Sequence, residues 1–510
     1  MFDIKEVYAF LVSKINKRDI LFIGILVALF LFTRLIRLAD FPLFGDEAIY
    51  IHWARVAWKD AAWRFVSLTD GKQPLQTWAT IPFLKIFTND LVYGGRLFAV
   101  TSGFIALTGI FTTLYYLFDK RSAYLGALLY ILTPYFLFYD RMALVDSLVN
   151  GFAIWIFFVS LLLAKHRRLD IALLFGLLSG FALLSKSSAR IFLGMSALAP
   201  ILVWDKKLEN NIKIVVNFLV LLGISLSLAY LIYNVQMLSP YMHYIAEKNK
   251  TFILSFSEIY ANPWAVLLPN LKVVAMYSFW EMGFVLPFTG ILGLIILFQK
   301  KFKLALLITA WIIIPYLAIS AVSRVLFPRY IIFFASFFLI PTVYFFRFSK
   351  WNKLRMLTFA LLIISFLYFD YHILFNFSKI PFPPIDRGQY LEGSTSGWHL
   401  DDLMAYVRKR SQTKRVVLLA EGDFGVVGDM LDVKIKPTDN IFLKGYWPLE
   451  KTQLEENLPE LKTNTVLAVF SHRTEFPTDW PIKLIKEYKK PGNKSSFFLF
   501  ELMESNADDK

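Results

Sequence analysis

Immediately after the first long apolar run stands Phe44-Gly45-Asp46-Glu47-Ala48-Ile49-Tyr50. Two adjacent carboxylates at the edge of a bilayer are costly unless they are well solvated or put to use. A carboxylate in that setting suits deprotonation of an incoming hydroxyl. Further polar residues fall at the same kind of boundary. They are Lys72 in Gly71-Lys72-Gln73-Pro74; Asp140, Arg141 and Asp146 after the third apolar run; Lys186 and Arg190 after the fifth; and Arg324 and Arg329 after the ninth. The cations suit a phosphate, because arginine binds it with a planar fork and lysine as a point charge. The pattern reads as carboxylates ringed by cations on one side of a membrane.

Each of these residues also has a plainer structural reading. Asp46 could cap the helix behind it, since Ala48, Ile49, Trp53, Val56 and Ala57 recur at near-helical spacing. Asp146 could cap the fourth span. Arg34 and Arg37 are expected to snorkel from the first span to the interface. Lys186 resists such a reading, because Leu183-Leu184-Ser185-Lys186-Ser187-Ser188-Ala189-Arg190 puts two cations in a break between apolar spans. The abundant Trp, Tyr and Phe are read as lipid-facing or interfacial anchors.

The elements that must position these groups follow from composition. Of 510 residues, 57% are hydrophobic and only 18% charged, which excludes an ordinary soluble globule. The expected fold is a polytopic α-helical membrane protein with a C-terminal extracytoplasmic α/β domain. Apolar runs between Leu21 and Phe377 suggest about eleven transmembrane helices. The net charge of +15 would point to nucleic acid in a soluble chain. Here the excess basic residues sit in short loops and encode orientation instead, so no nucleic-acid partner is expected. The clusters are Lys14, Lys17 and Arg18; Lys120 and Arg121; Lys165, Arg167 and Arg168; Lys206 and Lys207; Lys300, Lys301 and Lys303; and Arg347, Lys350, Lys353 and Arg355. Taken as cytoplasmic, they put the N-terminus inside and the C-terminus outside.

Residues 1–380 are expected to form the transmembrane domain, with outer loops at 39–92 and 234–277 lying on the membrane as amphipathic helices. Pro381-Phe382-Pro383-Pro384 reads as a stiff linker, leaving 381–510 as a separate domain. That domain is expected to hold a helix near 399–411, strands at 415–420 and 466–471, a helix near 450–461 and a closing strand near 496–502. Its glycine-rich loop from Glu421 to Asp429 has neither dinucleotide nor Walker spacing and reads as a turn. With no cysteine, disulfides and thiol chemistry are excluded. The six histidines lack metal-ligand spacing, so no metal site is assigned and no cofactor is required. A divalent cation is left open, since Asp46, Glu47 and Asp146 could converge on one.

At this point the sequence resembles a family. Phe44-Gly45-Asp46-Glu47-Ala48, Gly71-Lys72-Gln73-Pro74-Leu75, Tyr139-Asp140-Arg141-Met142-Ala143-Leu144-Val145-Asp146, Leu184-Ser185-Lys186 and Pro328-Arg329-Tyr330 look like ordered landmarks of GT-C glycosyltransferases. The match is to the protein O-mannosyltransferase and lipid A aminoarabinose transferase type, over roughly residues 15 to 350. The resemblance implies an inverting enzyme using a polyprenyl-phosphate sugar at the outer membrane face. It implies Asp46 as base or acceptor-orienting carboxylate with Glu47 beside it, and Asp146 as support for the first-loop helix or the acceptor. It implies Lys72, Lys186 and Arg329 at the donor phosphate; Arg141 and Arg190 complete the expected cationic set. Two positions depart from the pattern: Gln73 stands where many relatives have a second proline, and Ser187 where glycine is common. The C-terminal domain is not the β-trefoil often inserted in eukaryotic protein mannosyltransferases, which weakens a protein acceptor.

The function expected is transfer of a single sugar from a polyprenyl-phosphate donor to a hydroxyl of an acceptor lipid, glycan or protein in the plasma membrane. The membrane's own lipids are the other expected partners. A lipid or solute transporter of similar span number is the rival, but it would place ionisable residues near the midplane and show repeated halves. A receptor or assembly factor would need no outer carboxylates.

Overall fold

The computed structural model describes residues 16–205, 207–422 and 427–504. Lys14, Lys206 and positions 423–426 of the glycine-rich loop lie outside the described residues. The chain divides into two compact units: residues 1–36, 65–76 and 99–381 form the first, and 37–64, 77–98 and 382–510 the second.

The first unit is a helical bundle. It begins with α1 (Lys17–Leu35), whose Asn16 side chain accepts the Asp19 N–H at 2.9 Å while Asp19 accepts the Asn16 N–H, a reciprocal cap. Next in the chain, α2 (Gly45–Lys59), most of α3 (Leu75–Ile86) and the start of α4 (Leu91–Leu117) belong to the second unit; the first continues through the rest of α4, α5 (Lys120–Leu132), α6 (Pro134–Tyr139), α7 (Asp146–His166) and α8 (Leu169–Ser185). The chain continues through α9 (Ala189–Ser196), α10 (Leu208–Tyr233), α11 (Tyr244–Phe252), α12 (Phe256–Ala261), α13 (Pro263–Glu281) and α14 (Val285–Lys300). It closes with α15 (Phe302–Val322), α16 (Phe333–Phe348) and α17 (Asn352–Phe375). Five of these helices (α4, α7, α10, α15 and α17) are long and apolar enough to cross a membrane, α10 counted through Leu238.

The apolar runs of the sequence map onto helices unevenly. The run over 122–139 is broken at Thr133, where Pro134 starts α6. Helices α13 and α14 together are also long and apolar enough, but are bent by 103° at the break between them. The bend falls at Gly283 and Phe284, both at positive φ, and the Ser365 hydroxyl donates to the Gly283 carbonyl at 2.6 Å. The stretch 234–277, expected as an outer loop of amphipathic helices, holds α11, α12 and the first part of α13, which begins at Pro263. Apolar composition cannot separate a buried helix limb from an interfacial loop.

Arg34, expected to snorkel, is instead fully buried, 3.2 Å from Asp140. Asp140 also accepts the Ser147 hydroxyl at 2.8 Å, and a Cβ on Gly103 would stand 2.3 Å from its carboxyl carbon. An ion pair so enclosed ties α1 to the start of α7.

All the basic loops that can be traced meet at one end of this bundle. Lys120 pairs with Asp19 at 2.7 Å and Arg347 with Asp119 at 3.3 Å, and the Lys301 ammonium donates to the Leu117 carbonyl at 3.1 Å. The end opposite carries Asp146 and Lys186, because α7 and α8 run antiparallel from the turn at Arg167 and Arg168.

The second unit holds a five-stranded mixed sheet in the order β2-β1-β3-β5-β4. Strands β1 (Val416–Glu421), β2 (Ile441–Tyr446) and β3 (Thr465–Phe470) are parallel, while β4 (Ile482–Lys489) and β5 (Ser496–Leu502) are antiparallel. Helices α18 (Pro384–Arg387), α19 (Leu400–Ser411), α20 (Val427–Lys434) and α21 (Lys451–Glu456) complete it. The first-loop helix α2 belongs to this unit and packs on α20, burying Ala48, Ile51, Ala54 and Ala57 completely. Backbone bonds reinforce it: Gly45 donates to Thr395 at 2.9 Å and Gly397 to Leu43 at 2.7 Å.

Candidate functional site

In the second unit, one guanidinium sets the geometry at Asp46 and Glu47. Arg96, in α4, donates from Nε to Glu47 Oε1 at 2.9 Å and from Nη2 to Oε2 at 2.8 Å. It also reaches the carbonyls of Leu38 and Phe41 at 2.9 Å and of Pro42 at 3.2 Å. Those contacts use all the donors of an arginine fork. Glu47 Oε2 accepts the Phe44 N–H at 3.1 Å, and both charged side chains are fully buried.

Glu47, expected as a catalytic partner, anchors this turn in the structure. Its two oxygens are committed to Arg96 and to the start of α2. Asp46 is not the cap of α2, which is Phe44; it stands in the first helical turn, partly exposed. Arg96 had one signal in the sequence, a lone cation inside a long apolar run.

Farther along α2, His52 and Arg55 face Asp432 on α20, with Asp429 3.7 Å from the imidazole. Burial would lower the His52 pKa, but the hydrogen bond and charge of Asp432, joined by Asp429, outweigh it and raise the group above its ordinary value. Burial likewise works against a charged Asp432, yet His52 and Arg55 hold its pKa below the usual carboxylate value.

In the first unit, a second cluster gathers cations around two aromatic rings. The Lys186 ammonium donates to Asp146 Oδ1 at 2.6 Å and lies 4.4 Å from the Tyr330 ring centre. Arg329, buried in the short turn Pro328–Ile331, lies 5.5 Å from the same ring. Tyr330 meets Phe252 edge-on at 6.3 Å, and Lys72 sits 4.9 Å from the Phe252 ring. Gln73, beside Lys72, donates to the Ser187 hydroxyl at 2.8 Å, beside Lys186. The two positions that depart from the family pattern are thus bonded to each other.

Local sequence explains each placement. Asp146 opens α7 and Lys186 follows the last turn of α8, so each charge sits at the helix end whose dipole favours it. Gly71 has φ of +64°, and a Cβ there would come within 2.5 Å of the Tyr244 carbonyl oxygen, so only glycine lets the Lys72 turn approach α11. Lys248 of α11 pairs with Asp70 to close that contact.

The remaining expected cations, Arg141 and Arg190, have partners of their own. Arg141, expected at the phosphate, is buried and donates from Nη1 to the carbonyls of Thr33, Arg34 and Ile36 at 2.8, 3.0 and 2.8 Å, at the end of α1. Arg190 is exposed and donates to the Tyr233 hydroxyl at 3.0 Å. Phe252 and Tyr330 are site residues that sequence reasoning dismissed as anchors; the Pro328-Arg329-Tyr330 landmark was the available signal.

Lys72, Lys186, Arg329 and Asp146 bring three cations and one carboxylate into this cluster, a composition suited to an anion. Among the described residues, no three His, Asp or Glu side chains are grouped to hold a metal ion.

Comparison with known proteins places this geometry in context. Residues 71–233, which include Lys72, Asp146 and Lys186, match the dolichyl-phosphate-mannose-protein mannosyltransferase family. No curated protein matches the chain by sequence. The structure is similar to that of ArnT from Cupriavidus metallidurans in the apo state, with TM-score 0.57 and 14% identity over 94% of this chain and 97% of the other. It is equally similar to the same protein bound to undecaprenyl phosphate, with TM-score 0.58 and 14% identity over 95% and 98%. The fold of this chain is that of the GT-C glycosyltransferases.

Proposed function

We propose that this protein is an inverting integral-membrane glycosyltransferase that moves a single sugar from a polyprenyl-phosphate donor to an acceptor hydroxyl. The observation that carries the reading is the cluster of Lys72, Lys186 and Arg329 on the Phe252 and Tyr330 rings. Fixed positive charge against apolar rings suits the phosphate of a lipid-linked sugar, and an ArnT structure with undecaprenyl phosphate supports a donor of that class.

In the proposed reaction the acceptor oxygen forms a bond to the anomeric carbon as the bond to the phosphate oxygen breaks. The polyprenyl phosphate leaves as an anion stabilised by the lysines and arginine, and the acceptor proton passes to a carboxylate base, the role that the sequence resemblance gives Asp46. Asp146 holds Lys186 in place, and Glu47 fixes the helix that bears Asp46. The basic loops gathered at one end of the bundle support a cytoplasmic assignment for that end and an extracytoplasmic one for the Asp146 and Lys186 end. A hydroxyl of a lipid or glycan is the acceptor we favour. A transporter is not favoured, because the fold is that of a transferase group.

The test is transfer of labelled sugar from a panel of polyprenyl-phosphate sugars by the reconstituted protein, parent against Asp46→Asn and Lys186→Met. Transfer or hydrolysis by the parent, lost in Asp46→Asn with donor binding retained, supports the reading. Turnover unaffected by both substitutions overturns it. Turnover unchanged by a chelator is expected, since no step is assigned to a metal.

A further inference from the structure

At the other end of the bundle, a cavity of about 620 Å³ opens between helix ends of the first unit. Its lining includes Lys165, Lys301 and Lys303, the rings of Tyr116 and Phe302, and aliphatic wall residues such as Leu202. It lies one α7 length from Asp146, since Lys165 is in the last turn of that 21-residue helix. That is roughly 30 Å, about the hydrocarbon thickness of a membrane.

The three ammonium groups are held without carboxylates. Lys165 lies 5.2 Å from the Tyr116 ring; Lys301 donates to the Leu117 carbonyl at 3.1 Å and lies 5.0 Å from Phe118; and Lys303 donates to the Trp204 carbonyl. No carboxylate pairs with any of the three among the described residues. By contrast, nearby Lys120 and Arg347 are neutralised by Asp19 and Asp119. Trp204 and Phe302 are 50% and 61% exposed, as side chains at a membrane–water boundary are.

We propose that this cavity binds the phosphodiester head group of an anionic membrane lipid, with its chains along the apolar wall. A soluble anion would be satisfied by the lysines alone; the apolar walls and the boundary aromatics match an amphiphile. The site is separate from the donor cluster, and the inference does not depend on the transferase reading.

The full-length protein and a Lys165→Gln/Lys301→Gln/Lys303→Gln variant, both delipidated, would be titrated with short-chain phosphatidylglycerol, short-chain phosphatidylcholine and glycerol phosphate. Bound molecules are counted by native mass spectrometry. The parent should prefer phosphatidylglycerol, and the variant should lose roughly a hundredfold in its affinity, at about fivefold per charge. The corresponding triple arginine variant should retain it. Equal binding of phosphatidylcholine, or undiminished phosphatidylglycerol binding by the glutamine variant, would overturn the proposal. Glycerol phosphate binding as tightly as the lipid would also overturn it, in favour of a free phosphate site. If the triple variant does not fold, each single glutamine substitution should still lower affinity about fivefold, and no loss in any of them refutes the site.

Discussion

Replacing Glu47 by glutamine should destabilise the second unit far more than replacing its neighbour Asp46. Glu47 is fully buried and receives two bonds from Arg96, at 2.9 and 2.8 Å, and one from the Phe44 N–H at 3.1 Å. A neutral amide keeps one acceptor but presents an NH₂ group to the guanidinium, leaving a buried charge uncompensated. Breaking a buried pair in this way costs about 3–5 kcal/mol. For a unit of this size that is a fall of roughly 10 °C in the unfolding midpoint. Arg96→Met should cost at least as much, because it also strands the carbonyls of Leu38, Phe41 and Pro42. The double variant should be less unstable than the sum of the singles by more than about 1 kcal/mol, since each single already removes the shared pair. Asp46→Asn, at a partly exposed helical position, should leave the midpoint nearly unchanged while abolishing turnover. The assay is thermal unfolding in detergent followed by tryptophan fluorescence, alongside sugar transfer. If Glu47→Gln keeps the parent midpoint but loses turnover, Glu47 acts chemically and the anchor assignment is refuted.

Other consequences are more compact. Lys186→Met should raise the concentration of polyprenyl phosphate needed for half-saturation by at least tenfold, whereas Arg141→Met should act through stability and leave that affinity unchanged in the folded fraction; equilibrium lipid binding separates them. Gly71→Ala forces positive φ and a 2.5 Å approach to the Tyr244 carbonyl, so it should cost about 1–3 kcal/mol and increase proteolytic cutting near 244–252. The raised His52 pKa means its pairing with Asp432 stabilises fully below the ordinary imidazole value and is lost as pH rises through the raised one. The stability difference between parent and His52→Gln, read from unfolding midpoints across pH, should therefore shrink toward zero on the alkaline side. Lys490 works in the opposite sense. Burial pushes its ammonium down to about 7, so folding should strengthen between that pH and the ordinary lysine value, by up to about 1.4 kcal/mol per unit, and Lys490→Met should remove that slope.

The strands show what a linear pattern can and cannot reveal. β1, β3 and β5 were legible because they form the interior of the sheet and read as near-continuous apolar runs. β2 and β4 were missed because they are its edges, half exposed and, in β4, interrupted by Lys483, Lys486 and Lys489. Edge strands carry such charges to avoid pairing with other chains, and the charges hide the strand. Within the site, Lys72, Asp146, Lys186 and Arg329 stood out as polar residues at helix boundaries. Their aromatic platform did not, because Phe and Tyr are everywhere in this chain.

Composition and spacing alone determined that the chain is a helical membrane protein, with chemistry-capable charges at one set of helix ends and basic loops at the other. Hydrophobic transfer energy makes those features local and additive along the chain. Tertiary structure alone decided which charges are spent on architecture. Arg34, Arg96 and Arg141 look, as letters, no different from Arg329, yet two close buried ion pairs and one caps a helix. The partners of Arg34 and Arg141 lie about a hundred residues away and those of Arg96 about fifty, so no local pattern encodes them. What selects them is the cost of an uncompensated charge out of water, a cost that exists only once the helices have packed.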